Sequence, residues 1–266
     1  MRGETSVRPT VTLMTDFGLT EPYVGVMKGV ILNIVPEAAL VDLTHAIPPQ
    51  DIRQAAFLLS TAVDYFPTGT VHVVVVDPGV GSERRPIAVK SKREYYVAPD
   101  NGVLSMALAR RPAETIVHLA NSDYWLPNVS ATFHGRDIFA PVAAHLARGV
   151  PIDDLGTPIH QIVRLPEAHP TRQPDGGIVG QVQHIDRFGD CITNVPSDML
   201  RFDTPPIVRV AGQSIQGISP AYTAVEPGRP VSLIGSSGFL EIAVCNGNAA
   251  EQLDIKVGDT VLIEPQ

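Results

Sequence analysis

The chain has 266 residues, 44% of them hydrophobic, and a formal net charge of −8; that length suits one large domain or two ordinary ones, each with a real core. Lys and Arg are scattered, without the clustered basic patch that nucleic-acid binding requires, and no apolar run approaches the length of a membrane span. The opening MRGETSVRPT has no apolar stretch behind its arginines, so no signal peptide is read there, and Cys191 and Cys245 lie too far apart for metal-type spacing and fit a reducing cytoplasm.

In chain order, Val11 to Met14 reads as a short buried strand. Thr20 is the expected cap of the next helix and Pro22 suits its first turn. Val24, Met27, Ile31 and Val35 then repeat at helical spacing until Pro36 stops the run. Leu40 to Leu43 is a second strand. A helix follows over Asp51 to Tyr65, with Ile52, Ala55, Leu59 and Val63 on one face. Val71 to Val76 is apolar and β-branched apart from His72, as a central parallel strand should be. Tyr95 to Ala98 is another strand, and helices are expected over Val103 to Arg110 and about Arg136 to Arg148. Alternating β and α predicts a parallel-sheet α/β sandwich with helices on both faces.

The character changes near residue 165. Pro166 to Gly177 (PEAHPTRQPDGG) is rich in proline, glycine and polar residues and reads as a linker. Beyond it, Ile178 to Ile185, Ile207 to Val210, Val231 to Ile234, Leu240 to Val244 and Thr260 to Ile263 are short β segments between glycine and proline turns. A small all-β barrel is expected. The predicted organisation is an α/β domain over 1–165, a linker over 166–176 and a β-barrel domain over 177–266.

Several strand candidates end in, or soon reach, an aspartate: Asp16, Asp42, Asp77 and Asp100. In open α/β sheets the ligand crevice lies outside the carboxyl ends of the strands, so some of these can share a pocket. Turn and cap formation is the alternative, and it is the expectation for Asp42 and for Asp100 in its Asp-Asn-Gly turn. Asp77 opens a glycine-bearing loop, Asp77-Pro78-Gly79-Val80-Gly81-Ser82-Glu83-Arg84-Arg85. The loop lacks the Gly-Lys-Ser/Thr ending of a phosphate-binding loop, and either arginine could fold back onto the carboxylate. His134, in Thr132-Phe133-His134-Gly135-Arg136-Asp137, falls where a segment turns into a helix, whose N-terminal dipole favours an anion such as hydroxide.

Taken together these segments resemble the S-adenosyl-L-methionine hydroxide adenosyltransferase family, the adenosylmethionine hydrolases, which are related to fluorinating and chlorinating adenosyltransferases. The stretches that carry the resemblance are Thr15-Asp16-Phe17-Gly18, Tyr23-Val24-Gly25, Met27-Lys28-Gly29, Asp42-Leu43-Thr44-His45, Asp77-Pro78-Gly79-Val80-Gly81, Pro99-Asp100-Asn101-Gly102, Thr132 to Asp137, Asp186-Arg187-Phe188-Gly189, Thr193-Asn194 and Gly238 to Val244. The resemblance implies hydrolysis of S-adenosyl-L-methionine to adenosine and L-methionine by water attack at ribose C5′, with no metal or organic cofactor. It implies a homotrimer, with substrate between the N-terminal domain of one subunit and the C-terminal domain of the next. It assigns water activation to Asp77, Arg84 and His134, and ribose binding to Asp16. In the barrel it assigns ligand contacts to Asp186, Asp190, Ser236 (with Ser237 the alternative), Glu241 and Val244. Asp190 departs from the Asn usual in that family. An ionised carboxylate cannot donate as an amide can.

The chemistry suits such residues. A sulfonium leaves as a neutral thioether, so no general acid is needed. A cation near the water favours hydroxide, a histidine accepts a proton or orients the water, and a carboxylate holds either in place. Halogenating relatives lack this set, and the stretch between Arg84 and Thr132 is too short for the extra loop of fluorinating enzymes. The competing readings are a sensor that binds S-adenosyl-L-methionine or adenosine with little turnover, a halide adenosyltransferase, and a metal-dependent hydrolase, which lacks paired Asp-x-Asp or His-x-His ligands.

Overall fold

The computed structural model describes residues 8–166 and 168–266. Residues 1–7, where most of the signal-peptide expectation rests, and Glu167 in the linker stretch lie outside the described residues. The chain divides into two compact units, Met1–Leu165 and Pro166–Gln266.

The first unit is built on a seven-stranded sheet. Its first half follows the β/α alternation: β1 (Thr10–Thr15), α1 (Tyr23–Ile34), β2 (Ala39–Thr44), α2 (Ile52–Ala62), β3 (Val71–Val75). The Thr20 cap is not formed. Pro22 occupies the cap position without a side-chain hydrogen bond, and its carbonyl accepts from Val26 N at 2.8 Å. Asp51 caps α2, accepting from Gln54 N at 2.9 Å.

β4 (Pro86–Ser91), β5 (Tyr95–Pro99), α3 (Ser105–Arg110), β6 (Ala113–Leu119), α4 (Ala140–Ala147) and β7 (Gly156–Pro158) complete the unit. The strand order is β2-β1-β3-β5-β4-β6-β7. β2, β1, β3 and β5 pair in parallel, as expected. β4, β6 and β7 extend them antiparallel, so the sheet is mixed rather than wholly parallel.

Alternation along the strands sorts the core into two layers. Val11, Leu13, Val73 and Val75 pack with Met27, Ile31, Phe139 and Val142, the α1 and α4 side. Met14, Val74 and Val76 pack with Ala55, Leu59, Leu104 and Leu108, the α2 and α3 side.

One consequence of the order positions the site. β2 lies on one flank of β1 and β3 on the other, so the connections leaving β1 and β2 diverge. The crevice of such a sheet opens at the carboxyl ends of those strands. Asp16 follows β1 directly and Asp77 follows β3 by two residues.

The second unit is an eight-stranded antiparallel sheet. It comprises β8 (Thr171–Arg172), β9 (Ile178–Ile185), β10 (Cys191–Pro196), β11 (Ile207–Val210), β12 (Gln213–Gln216), β13 (Pro230–Ile234), β14 (Phe239–Val244) and β15 (Thr260–Glu264), with the short helix α5 (Ala249–Gln252). The order is β12-β11-β15-β9-β10-β14-β13, with β8, inside the stretch read as a linker, on β9. A bridge from Ser219 to Leu233 of β13 ties the segment after β12 back to the far edge, so the sheet is a nearly closed barrel. Strand β9 alternates buried and half-buried residues, its buried face joining Ile178 and Val182 to Cys191, Val208, Leu240, Ile242 and Val261.

Candidate active site

In the first unit the structure brings Asp77, Arg84 and His134 together. The Asp77 loop folds back so that Arg84 Nε donates to Asp77 Oδ1 at 2.8 Å and to Oδ2 at 3.0 Å, while Nη2 also bonds Oδ2. Nη2 reaches His134 Nδ1 at 2.9 Å. Both members of the ion pair are nearly withdrawn from solvent, with side-chain exposures of 9% for Arg84 and 5% for Asp77. Arg85 is spent elsewhere, its Nε on Asp100 Oδ2 at 3.0 Å and its Nη2 on Gln161 O at 3.0 Å. Asp100 also accepts from Val163 N at 2.7 Å, so it anchors a following segment rather than simply capping a turn.

The backbone that allows this is specific. Gly81 has φ +77° and its α-carbon faces the backbone of Ala131, where a Cβ would collide with the carbonyl oxygen. That contact seats the Asp77 loop against the segment that leads into His134. His134 itself caps a π-helix, Gly135–Phe139, which runs directly into α4. At about 100° per residue an α-helix would turn a residue five positions on about 140° away. With i→i+5 hydrogen bonding such residues share a face, and Arg84 is held by both: His134 at Nη2, and Phe139, whose ring centroid lies 5.2 Å from the guanidinium carbon. Asp137, fully buried on the same π-turn, accepts from Ser130 N at 2.8 Å and from Arg136 Nε at 2.6 Å, pinning the approach segment.

The protonation states follow from donor logic. Arginine only donates, so His134 Nδ1 accepts, and the neutral ring carries its proton on Nε2. Burial, then the neighbouring Arg84 charge, lower the His134 pKa against the opposing pull of Asp77 and Asp137, favouring that neutral form. Arg84 Nη1 is buried without a hydrogen-bond partner among the described residues. The group therefore holds a guanidinium charge bonded to an imidazole whose remaining N–H is a donor, an arrangement suited to an oxygen carrying developing negative charge.

Asp16 sits at the adjacent strand end, half-buried, and Gln50 N donates to its Oδ2 at 2.8 Å. Phe17, Tyr23 and Phe133 pack edge to face beside it, with ring centroids 5.3 to 5.9 Å apart. Among the described residues no group of three or more His, Cys, Asp and Glu side chains is placed to hold a metal ion.

In the barrel, Asp186 and Glu241 come close enough to Asp190 to influence its ionisation, and Asp186 close enough to influence that of Glu241. Asp186 Oδ1 accepts from Phe188 N and Asp190 N, both at 2.9 Å, shaping the turn between β9 and β10. Asp190 is 8% exposed; burial, then Asp186 and Glu241, push its pKa up to about 6. Burial raises Glu241 as well, while Tyr222, which donates its hydroxyl to Glu241, pulls it back. Glu241 lies against the Cα of Gly235, which places exposed Ser236 next to it in the β13–β14 turn. Val244 is buried at the end of β14, its carbonyl accepting from Gly247 N at 2.9 Å. Nothing in the sequence pattern singles out Phe139 or Tyr222: a core aromatic and a loop tyrosine announce themselves only through their partners.

Comparison with known proteins converges on one family. Residues 11–156 match the SAM hydroxide adenosyltransferase N-terminal domain and residues 180–262 the C-terminal domain of the same family. The chain is 43% identical over 262 residues to an (R)-S-adenosyl-L-methionine hydrolase of Thermus thermophilus, covering 95% of this chain and 98% of that one. It is 26% identical over 292 residues to a fluorinase of Actinopolyspora mzabensis, covering 96% and 97% of the two chains. A crystal structure of an uncharacterized conserved protein from Thermotoga maritima superposes with a TM-score of 0.90 at 39% identity, covering 95% of this chain and 99% of that one. With both domain families matched in order along most of its length, this chain belongs to the SAM hydroxide adenosyltransferase family.

Proposed function

We propose that the protein hydrolyses S-adenosyl-L-methionine to adenosine and L-methionine, by attack of a water-derived oxygen on ribose C5′ opposite the sulfonium. The observation that carries this reading is the Asp77–Arg84–His134 arrangement with its remaining imidazole donor. The full-length similarity to a hydrolase supports it.

In this mechanism Asp77 orients Arg84. His134 Nε2 then donates to the attacking oxygen, and the Arg84 charge bonded to the same ring stabilises it as it takes on hydroxide character. His134 acts as a neutral donor and not as the base, since its Nδ1 lone pair is engaged by Arg84. The carbon–sulfur bond breaks to a neutral thioether, so nothing protonates the leaving group, and the water's proton departs to solvent. Asp16 accepts from the ribose hydroxyls with lone pairs left over from Gln50. Asp186, Asp190 and Glu241, with Ser236 next to Glu241 and Val244 further along the same strand, form the barrel's half of the site. Three carboxylates suit a substrate that carries both an ammonium and a sulfonium.

The working form is a homotrimer in which the α/β unit of one copy meets the barrel of another. In support, Leu19 (74% exposed) neighbours Asp16 and Phe188 (75% exposed) neighbours Asp186; apolar side chains exposed beside both half-sites are what an interface would cover. We place the enzyme in the cytoplasm: Cys191 and Cys245 are free and buried, which suits a reducing compartment.

The test is product analysis with S-adenosyl-L-methionine in chloride buffer. Adenosine and L-methionine in equal amounts are expected. 5′-Chloro-5′-deoxyadenosine as the main product would overturn hydrolysis, and substrate retained without turnover would make the protein a sensor.

A further inference from the structure

The Asp42-Leu43-Thr44-His45 stretch has no part in the mechanism above, yet the structure builds it into the Asp16 turn. His45 is 5% exposed and Thr15 fully buried. Thr15 Oγ1 lies 2.8 Å from His45 Nδ1 and accepts from Phe17 N at 3.2 Å. The hydroxyl keeps one lone pair and its proton, so it can serve Nδ1 in either tautomer of the ring. Nε2 lies 2.9 Å from Asp42 Oδ1, an ion-pair distance without hydrogen-bond geometry, and Asp42 Oδ2 in turn pairs with Lys28 Nζ at 2.6 Å. Phe17 N, Thr15, His45, Asp42 and Lys28 thus stand in sequential contact from the turn to the surface.

Two more bonds join the same segments. His45 O accepts from Gly18 N at 2.8 Å, where Gly18 takes the left-handed φ of +67° that the turn needs. At the far end of the loop, Gln50 N donates to Asp16 Oδ2 at 2.8 Å. Gln50 does so at φ +68°, an uncommon conformation for a residue with a side chain and one that persists only where its surroundings impose it. Residues 45–50 thus grip residues 15–18 at three points, and the carboxylate between them is held at one oxygen.

We propose that His45, through Thr15 and backed by Asp42 and Lys28, is a positioning residue that fixes the orientation of the Asp16 carboxylate for the ribose. This rests on the reading of Asp16 as the ribose-binding group. His45 does not touch the reacting atoms. Its loss lets the 15–18 turn relax, weakening ribose capture while leaving the Arg84–His134 donors in place.

The test compares Thr15→Val, His45→Ala, His45→Asn and Asp16→Ala with wild type. It reads KM and kcat for S-adenosyl-L-methionine, adenosine affinity by calorimetry, and the thermal midpoint. Thr15→Val is nearly isosteric and removes only the hydroxyl link. It and His45→Ala are expected to raise KM and weaken adenosine binding about tenfold, with kcat within about threefold. His45→Asn, whose amide can replace the Nδ1 contact, should recover most of the loss. A merely structural role would lower the midpoint in all three without splitting KM from kcat. Unchanged KM and adenosine affinity in folded Thr15→Val and His45→Ala, with both impaired in Asp16→Ala, would overturn the inference alone. Unchanged affinity in Asp16→Ala would overturn the ribose reading and the inference with it.

Discussion

His134 shows how one hydrogen bond decides a role. From sequence a histidine beside the nucleophile could orient the water or accept its proton, but a guanidinium N–H directed at Nδ1 leaves only the donor Nε2–H facing outward. On that account the rate should not collapse merely because a base is lost; it should fall because a preorganised donor is lost, typically about a hundredfold or more. Asp190 is the second informative residue. Its folded pKa of about 6 lies above the ordinary value of 3.8, so the unfolded chain loses its proton first. Ionisation then costs stability progressively as pH rises from about 4 to 6, and the penalty persists at neutral pH. At about 1.4 kcal/mol per pKa unit the cost reaches up to about 3 kcal/mol. Asp190→Asn should therefore raise the urea midpoint at pH 8 and leave it nearly unchanged at pH 3.5, and equal midpoints at pH 8 would show that the carboxylate is not strained there.

Among the elements, the loop after β3 and the π-turn before α4 matter most, because neither holds the site without the other. Gly81 is their contact point, and Gly81→Ala adds both a left-handed φ penalty and a collision with Ala131 O. The variant should fold, since the loop is peripheral to both core layers, but lose at least about tenfold in kcat; wild-type kcat would mean the two loops are positioned independently. What the sequence revealed of these elements follows their physics. α1, α2, β1 and β3 were legible because their buried faces repeat cleanly at periods of 3.6 or 2. β4 and β6 went unread: Pro86–Ser91 is short and carries Lys90, and Ala113–Leu119 mixes Glu114 and His118 with apolar residues, so neither gives a sustained pattern. The Asp77–Arg84 bond spans seven residues, and the family resemblance already pointed to Arg84 over Arg85; the pairing of Arg85 with Asp100 gives the physical reason. The π-turn, which swings Phe139 under Arg84, leaves no mark in a helical repeat.

At the scale of the whole molecule, stability should carry the signature of one buried histidine. His72 is fully buried in β3, bonded to Thr12 Oγ1 at 2.8 Å and stacked on Tyr96. Burial, then the Arg111 charge, lower its pKa from 6.5 to about 4. The unfolded chain thus binds the proton first, so this contribution is intact above about pH 6.5 and is lost as pH falls toward 4, about 3 kcal/mol in all. The difference in unfolding free energy between pH 7.5 and 4.5 should shrink by roughly that amount in His72→Asn; an unchanged difference would mean the ring takes up its proton as readily in the fold as in the unfolded chain. Assembly gives the other whole-molecule prediction. If each site is completed by two copies, His134→Ala and Glu241→Ala, each nearly inactive alone, should regain activity when unfolded together and refolded as a mixture. No recovery in mixed assemblies verified by mass would place each site within one copy.

The most direct measurement is the fate of the water oxygen. Wild type and His134→Ala would be incubated with S-adenosyl-L-methionine in oxygen-18 water and the products read by mass spectrometry. Water attack at C5′ yields adenosine labelled at its 5′ oxygen with unlabelled L-methionine, formed by wild type and reduced about a hundredfold in the variant. Unlabelled adenosine, or labelled adenosine formed equally fast by the variant, would contradict it.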